Sequence, residues 1–198
     1  PHDVVIHQST HLIDCIPEAE RVRIHAEKTD QTHPPALWLL PEPQNVFIMA
    51  SNPLMSLIER IESFDDQTDQ IRKAIESEWT AFCTLLAHQN YHQEVLMTAR
   101  FVMGLWLHDA LAKTTLSNWT DCLPKTMHSK NFANKTPFFD IAHCALAQPK
   151  RYMPLIEWMH FFFKQGFMKN SCQNHAQETQ RQTLIEMMHE IVHRKLPE

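Results

Sequence analysis

Residues 94–112 read EVLMTARFVMGLWLHDALA, an apolar stretch whose interior carries Arg100, His108 and Asp109. Its apolar residues recur at helical spacing and form a face wide enough to be buried on most sides. A bilayer-spanning helix needs about 20 apolar residues, which this stretch nearly supplies, but ionisable groups are rare inside such spans. The pattern therefore predicts the central core helix of a folded domain.

Glycine is scarce, which bounds the fold class. The 198 residues include two glycines, Gly104 and Gly166. Tight hairpins and phosphate-binding loops need glycine for positive φ and for close backbone approach. No G-x-G-x-x-G, Walker or G-x-S-x-G motif occurs. The composition predicts an all-α protein of one domain size and gives no support to common nucleotide-dependent or hydrolase activities.

Net charge and cysteine content limit the class of partner and the redox state of the thiols. The net charge is −5 with histidine neutral, which disfavours a helical regulator that binds nucleic acid. Five cysteines are widely spaced with no C-x-x-C pair, as in a protein with reduced thiols. We expect no cofactor.

The first 48 residues differ from the rest of the chain and predict an N-terminal arm ahead of a helical domain at 49–196. Residues 4–6 and 21–24 have the character of short strands or extended pieces. Residues 33–44 contain four prolines around an apolar group and predict an extended segment. We expect this segment to pack on the helical body, with docking on a partner as the alternative.

About seven helices follow. Ser51 or Asn52 is the expected cap of the first, with Pro53 at its first helical position. Glycine and proline positions then set the helix ends. The predicted helices cover about residues 53–64, 70–89, 92–113, 117–122, 136–148, 153–166 and 177–194.

Several short motifs occur in a fixed order from Asn52 nearly to the end of the chain. They are Asn52-Pro53-Leu54, Ala99-Arg100-Phe101, Leu107-His108-Asp109, Trp119, Phe138-Phe139, Leu155-Ile156-Glu157 and Gly166-Phe167. In their order and spacing these motifs resemble those of the DotU/IcmH (TssL) family of bacterial type IVB and type VI secretion systems.

The resemblance implies a non-enzymatic scaffold. It implies two small helical bundles in a hook-like body, on the cytoplasmic side of the bacterial inner membrane. A membrane-anchoring helix is expected beyond residue 198. The implied partners are an IcmF-like (TssM-like) inner-membrane protein and other secretion-system subunits.

Departures from the family pattern favour the type IVB branch over type VI. The acidic pair of the family's "LDE" is replaced by His108 and Asp109 here. The usual "TPWG" and "GGE" segments are absent, with Asn134-Lys135-Thr136 standing in place of the second. Because the missing segments belong to the type VI consensus, their absence favours type IVB. Type VI remains the alternative.

His108 and Asp109 are the candidate partner-binding residues. They occupy the family's acidic position, which the resemblance places near a surface cleft used for partner contacts. The alternative is a polar pair at a helix end with no role in binding. Arg100 needs a partner if it is buried, and a structural salt bridge or carbonyl contact is favoured over a functional role.

The competing hypothesis is a zinc hydrolase built on His189, Glu190 and His193, an H-E-x-x-H motif on a predicted helix. Histidines four residues apart can bind zinc, and the glutamate can serve as general base. Against it, too little chain follows to supply a downstream third ligand. The motif also falls on the polar face of its helix. Adventitious metal binding by the two histidines is the alternative to a catalytic zinc site. No metal site is therefore expected.

Overall fold

In a computed structural model, the described residues are 11–26, 45–64, 67–128, 130–169 and 171–194. Over these ranges the chain forms seven α-helices and no strand, which confirms the all-α prediction. Residues 4–6 and 33–44, where extended structure was predicted, lie outside the described ranges. The helices are α1 Glu18–Ala26, α2 Val46–Glu59, α3 Thr68–Ala87, α4 Gln93–Ala112, α5 Thr136–Ala147, α6 Pro149–Lys164 and α7 His175–Arg194.

Helix α4 is the central element, as its sequence predicts. It contacts helices from two groups, one made of α2 and α3 and the other of α5, α6 and α7. The buried apolar side chains of both groups belong to one continuous cluster. Among the described helices, α4 is the one long and apolar enough to cross a bilayer, but 72% of that apolar window is buried inside the protein.

The N-terminal residues depart from the predicted arm. A short 3₁₀ helix at Leu12–Cys15 precedes α1, and both pack on α4 or α5. The extended prediction for residues 21–24 is wrong, because these residues lie within α1. Ile24 faces the core while Val22 is 64% exposed, so the apolar alternation belongs to the two sides of a short helix. The domain boundary at residue 48 stays a prediction.

Helix α2 begins at Val46, five or six residues before the predicted cap. Asn45 is the true N-cap, and its side-chain oxygen accepts the backbone N–H groups of Phe47 and Ile48 at 3.0 and 3.2 Å. The amide of Asn45 also donates to the Pro154 carbonyl at 2.8 Å. Tertiary packing on α6 thus extends the helix past the local proline signal.

Ser51 and Pro53 consequently lie inside α2. The Ser51 hydroxyl donates to the Ile48 carbonyl and accepts from the indole N–H of Trp158 at 3.2 Å. It is therefore a buried link to α6 and not a cap. Pro53 is exposed and interrupts the hydrogen bonding of the helix interior.

The other predicted boundaries vary in accuracy. Helices α3, α4, α5 and α7 begin and end within about two residues of the prediction. Helix α6 begins at Pro149, earlier than predicted, and has a kink at Tyr152. A second helical run starts after the kink, at Met153, which is the predicted start. The predicted helix at 117–122 is a short 3₁₀ helix, Trp119–Cys122, which follows Asn118.

Gly104 lets another element approach α4 closely. A Cβ built on Gly104 would lie 2.4 Å from the Cε1 of Phe132. Phe132 is fully buried and its ring also packs on Phe101, with ring centres 5.6 Å apart. This contact holds the 3₁₀ helix Lys130–Phe132 against the central helix.

Candidate functional site

Asp109 organises the C-terminal end of α4. Its side chain is 4% exposed, and both carboxylate oxygens are engaged. The Met168 N–H donates to Oδ2 at 3.1 Å and the Ser171 hydroxyl to Oδ1 at 2.6 Å. Lys113 Nζ lies 2.9 Å from Oδ2. Asp109 therefore ties α4 to the loop that follows α6.

That loop closes α6 with a Schellman motif. The Gly166 N–H donates to the Phe163 carbonyl and the Phe167 N–H to the Phe162 carbonyl, each at 3.0 Å. Gly166 has φ of 87°, which glycine adopts without steric cost. The Gly166-Phe167 landmark thus ends α6, and its backbone conformation determines the direction of the residues that follow.

Met168 is held in an unfavourable backbone conformation beside Asp109. Its φ is 62°, in the left-handed region that costs a non-glycine residue about 1–2 kcal/mol. The hydrogen bond from its N–H to the buried carboxylate compensates for this cost. Lys113, which caps the C-terminus of α4, also donates to the Gly166 carbonyl at 2.8 Å, so Asp109 and Lys113 together fix this loop.

His108 lies on the other side of the same helix end. Lys135 Nζ is 3.1 Å from its Nδ1, and because an ammonium group only donates, Nδ1 is the acceptor. The indole of Trp119 meets the imidazole edge-on, with ring centres 4.9 Å apart.

The charge states of this pair follow from their burial. Burial and the Lys135 charge lower the pKa of His108 to about 4, against an opposing effect of Asp109. Burial lowers the pKa of Lys135 to about 8, with Asp109 opposing the shift and Lys113 assisting it. His108 is therefore neutral at pH 7 and suited to accept from a lysine.

An open cleft of about 210 Å³ lies beside Asp109. Helices α2 and α4 and the loop after α6 form its walls. Apolar side chains make most of its lining, and Glu59, Lys113 and Gln165 stand exposed at its rim. The apolar lining residues are Met55, Ile58, Trp106, Ala110 and Phe167.

The described polar side chains around this cleft are mostly engaged with one another or with backbone. The Asp109 carboxylate, the Ser171 hydroxyl and the Lys113 ammonium are bound to one another or to backbone. His108 faces Lys135 and Trp119, so no nucleophile is paired with it. Asp109 positions the wall of the cleft, and its rim carries the exposed side chains of Glu59, Lys113 and Gln165.

The H-E-x-x-H residues lie elsewhere, on α7. His189, Glu190 and His193 are exposed, as predicted from the polar face. Glu190 pairs with Arg194. Among the described residues, no group of three His, Cys, Asp or Glu side chains is arranged to hold a metal ion. His160 of α6 nevertheless lies close to both histidines, with ring centres 5.7 Å from His189 and 6.2 Å from His193.

Arg100 is half-buried on α4, on the side that faces α1. Burial and the nearby charge of Arg23 lower its pKa to about 10. Its predicted structural salt bridge or carbonyl contact stays a prediction.

Comparison with known families identifies the chain. The family described as "Type VI secretion system protein DotU" matches residues 46–198. The chain belongs to the DotU family. No curated protein and no solved structure matches it. The match begins at Val46, the first residue of α2, which Asn45 caps.

Several DotU landmarks serve the core of this chain. Phe138 and Phe139 are buried at the start of α5, and Phe138 meets Phe167 with ring centres 4.8 Å apart. Asn52 and Pro53 are exposed on α2, and Trp119 contacts His108. The DotU resemblance found from sequence is therefore confirmed, while the roles of its site residues stay predictions.

Sequence reasoning missed four residues of these clusters: Lys113, Lys135, Ser171 and His160. Lys113 is four residues after Asp109, which is a recognisable helical ion-pair spacing. Lys135 and Ser171 are distant in sequence from α4, and nothing local marks them. His160 stands inside an aromatic run that reads as core.

Proposed function

We propose that this chain is a non-enzymatic structural component of a bacterial type IVB secretion system, which binds an IcmF-like inner-membrane partner. Membership of the DotU family makes it a secretion-system component of type VI or type IVB. The type IVB assignment is supported by the substitutions at His108 and Asn134-Lys135-Thr136, where the type VI consensus is missing.

The partner surface that we propose is the cleft beside Asp109. The observation that carries it is an apolar lining left open between two helices and a fixed loop, with charges at the rim. Partner surfaces typically combine an apolar centre with a polar rim. His108 and Asp109 stay within this proposal, with Asp109 acting through the loop that it holds.

The proposed location is the inner membrane, with these helices facing the cytoplasm and an anchoring helix beyond residue 198. In this arrangement the scaffold supports assembly of the secretion complex through several subunits. A type VI component is the alternative, and the identity of co-purified subunits separates the two.

The test is recovery of partners from native membranes in mild detergent, using the full-length tagged protein and mass spectrometry. We expect an IcmF-like protein with the unaltered chain. Glu59→Lys changes an exposed rim charge of the cleft and should reduce that recovery at equal expression.

The matched control is Glu186→Lys, an equivalent charge reversal at an exposed position of α7 away from the cleft. It should leave recovery unchanged. Asp109→Lys should also reduce recovery, but it places a cation among internal partners, so its melting temperature must be compared. Full recovery with Glu59→Lys would reject the cleft; absence of any IcmF-like protein would reject the scaffold role.

A further inference from the structure

Two cysteine thiols from distant parts of the chain meet in the core. Cys15 is the last residue of the 3₁₀ helix Leu12–Cys15, and Cys144 lies on α5. These two elements pack on each other, and both side chains are buried in the same apolar cluster. The thiol of Cys15 is hydrogen-bonded to that of Cys144, so the two sulfur atoms are direct neighbours.

The surroundings keep this pair in the thiol form. Burial and the nearby carboxylates of Glu94 and Asp14 raise the pKa of Cys144, whereas Cys15 and Arg151 oppose the shift. The thiolate, and not the thiol, attacks a disulfide. In the closed structure the pair is therefore protected from oxidation at neutral pH. A disulfide carries no charge, so it is compatible with the same buried, acidic surroundings.

Tyr152 shows that this part of the core is polar. It is 1% exposed, and its hydroxyl finds no hydrogen-bond partner within the described ranges, although buried polar groups normally have one. Burial and then the Glu94 carboxylate raise the pKa of this hydroxyl, and the Cys144 thiol adds to the shift against Arg151. The thiol pair thus lies beside a carboxylate and an unsatisfied hydroxyl.

We propose that Cys15 and Cys144 are a modification site, at which a reversible disulfide ties the N-terminal 3₁₀ helix to α5. The family match begins at residue 46, so one cysteine precedes the matched region and the other lies within it. The disulfide would lock the segment that precedes the DotU helices onto those helices.

The oxidant that the site requires is a low-molecular-weight disulfide of the oxidised glutathione class. One cysteine loses its proton, and its thiolate attacks a sulfur of the oxidant, so that a mixed disulfide forms and one glutathione thiolate leaves. The second cysteine then loses its proton and attacks the protein sulfur of the mixed disulfide, which releases the second glutathione. The protein loses two electrons and two protons, and the oxidant is reduced to two thiols.

Access to the thiols requires a local opening, because Cys15 and Cys144 are 8% and 5% exposed. The covering element is a 3₁₀ helix of four residues, and the Ile13 N–H holds it to the Glu94 carboxylate at 3.3 Å. Short peripheral elements open at lower cost than the whole domain. Opening of this helix would expose both thiols and remove the burial that raises the pKa of Cys144. The disulfide would then hold the helix closed.

The experiment is incubation of the full folded chain with oxidised glutathione, followed by alkylation and peptide mass spectrometry without reduction. We expect a Cys15–Cys144 link and a melting temperature higher by about 5 °C or more, because the link closes a long loop of the unfolded chain. Dithiothreitol should reverse both changes. Cys15→Ala should abolish them, whereas Cys172→Ser, at the less buried cysteine, should behave like the unaltered chain.

Three results would overturn the site. One is glutathione mixed disulfides without the Cys15–Cys144 link, and another is a link that forms only in urea. The third is pairing of either residue with Cys83 or Cys122 in its place. If Cys15→Ala does not fold, the peptide map of the unaltered chain decides alone, because it identifies the linked residues without any substitution.

Discussion

At the scale of single residues, the end of α4 shows how one buried carboxylate shapes a surface. Asp109 accepts hydrogen bonds from the Met168 N–H and the Ser171 hydroxyl, and it forms an ion pair with Lys113. These contacts hold a left-handed residue in place immediately after a helix stop. The side chain that sets the shape of the cleft wall is therefore itself almost hidden from solvent.

Gly104→Ala is predicted to destabilise the protein. The new methyl group would overlap the buried Phe132 ring, which packs on Phe101 and has little space to move. Overpacking of this kind costs about 1–3 kcal/mol, against a gain of about 1 kcal/mol from replacing glycine in a helix, so we expect a net loss of up to about 2 kcal/mol. Chemical denaturation measures the change. A stability equal to or above the unaltered chain would show that Phe132 yields freely.

Acid is predicted to weaken the fold through His108. The unfolded imidazole takes up a proton near pH 6.5, whereas the folded one resists protonation until about pH 4. The unfolded state binds more protons in this window, so stability falls as the pH is lowered through it. His108→Gln should lose less stability than the unaltered chain between pH 7.5 and 5.

Melting temperatures of both proteins at the two pH values test this expectation. The comparison at pH 7.5, where the folded imidazole is neutral, isolates the packing effect of the substitution. His160 has a similarly lowered pKa, so some acid sensitivity should remain in the variant. Identical slopes for the two proteins would contradict the role of His108.

At the scale of helices, Pro53 is the position where local preference and observed structure disagree. A proline belongs in the first turn, yet α2 extends seven residues before it. The capping by Asn45, its bond to Pro154 and the Ser51–Trp158 hydrogen bond stabilise the added turns. Tertiary contacts with α6 therefore decide where α2 begins.

Pro53→Ala is predicted to stabilise the protein, because an interior proline costs a helix up to about 3 kcal/mol. The residue is exposed, so the substitution removes little packing. Asn52→Ala, at the neighbouring exposed position, is the control and should change stability far less. Thermal denaturation compares the three proteins. A loss of stability in Pro53→Ala would mean that the packing of α2 depends on the bend at the proline.

The same helices show what the sequence could and could not predict. The apolar period of α3 and α4 predicted where both helices begin and end to within about two residues, because a buried face repeats at every turn. The start of α2 and the helical state of residues 21–24 depend on partners far along the chain. The ligands of Asp109 and the approach of His160 to α7 depend on tertiary contacts in the same way, so local pattern carried no signal for them.

At the scale of the whole molecule, the shared core joins both groups of helices. Trp158 of α6 stacks on Phe47 of α2, with ring centres 5.5 Å apart, and also on Phe82 of α3 at 6.2 Å. Separating the groups would expose this cluster to water at a large hydrophobic cost. The body that presents the cleft is consequently rigid, as the proposed role of a scaffold requires.

The burial of α4 has a consequence for solvent exchange at the backbone. Fraying of peripheral helices releases their amide protons to deuterium at modest cost, whereas α4 is surrounded along most of its length. Its amides become accessible only when the surrounding helices open together. The slowest-exchanging amides of the protein should therefore mark the same stretch, 94–112, that decides its fold.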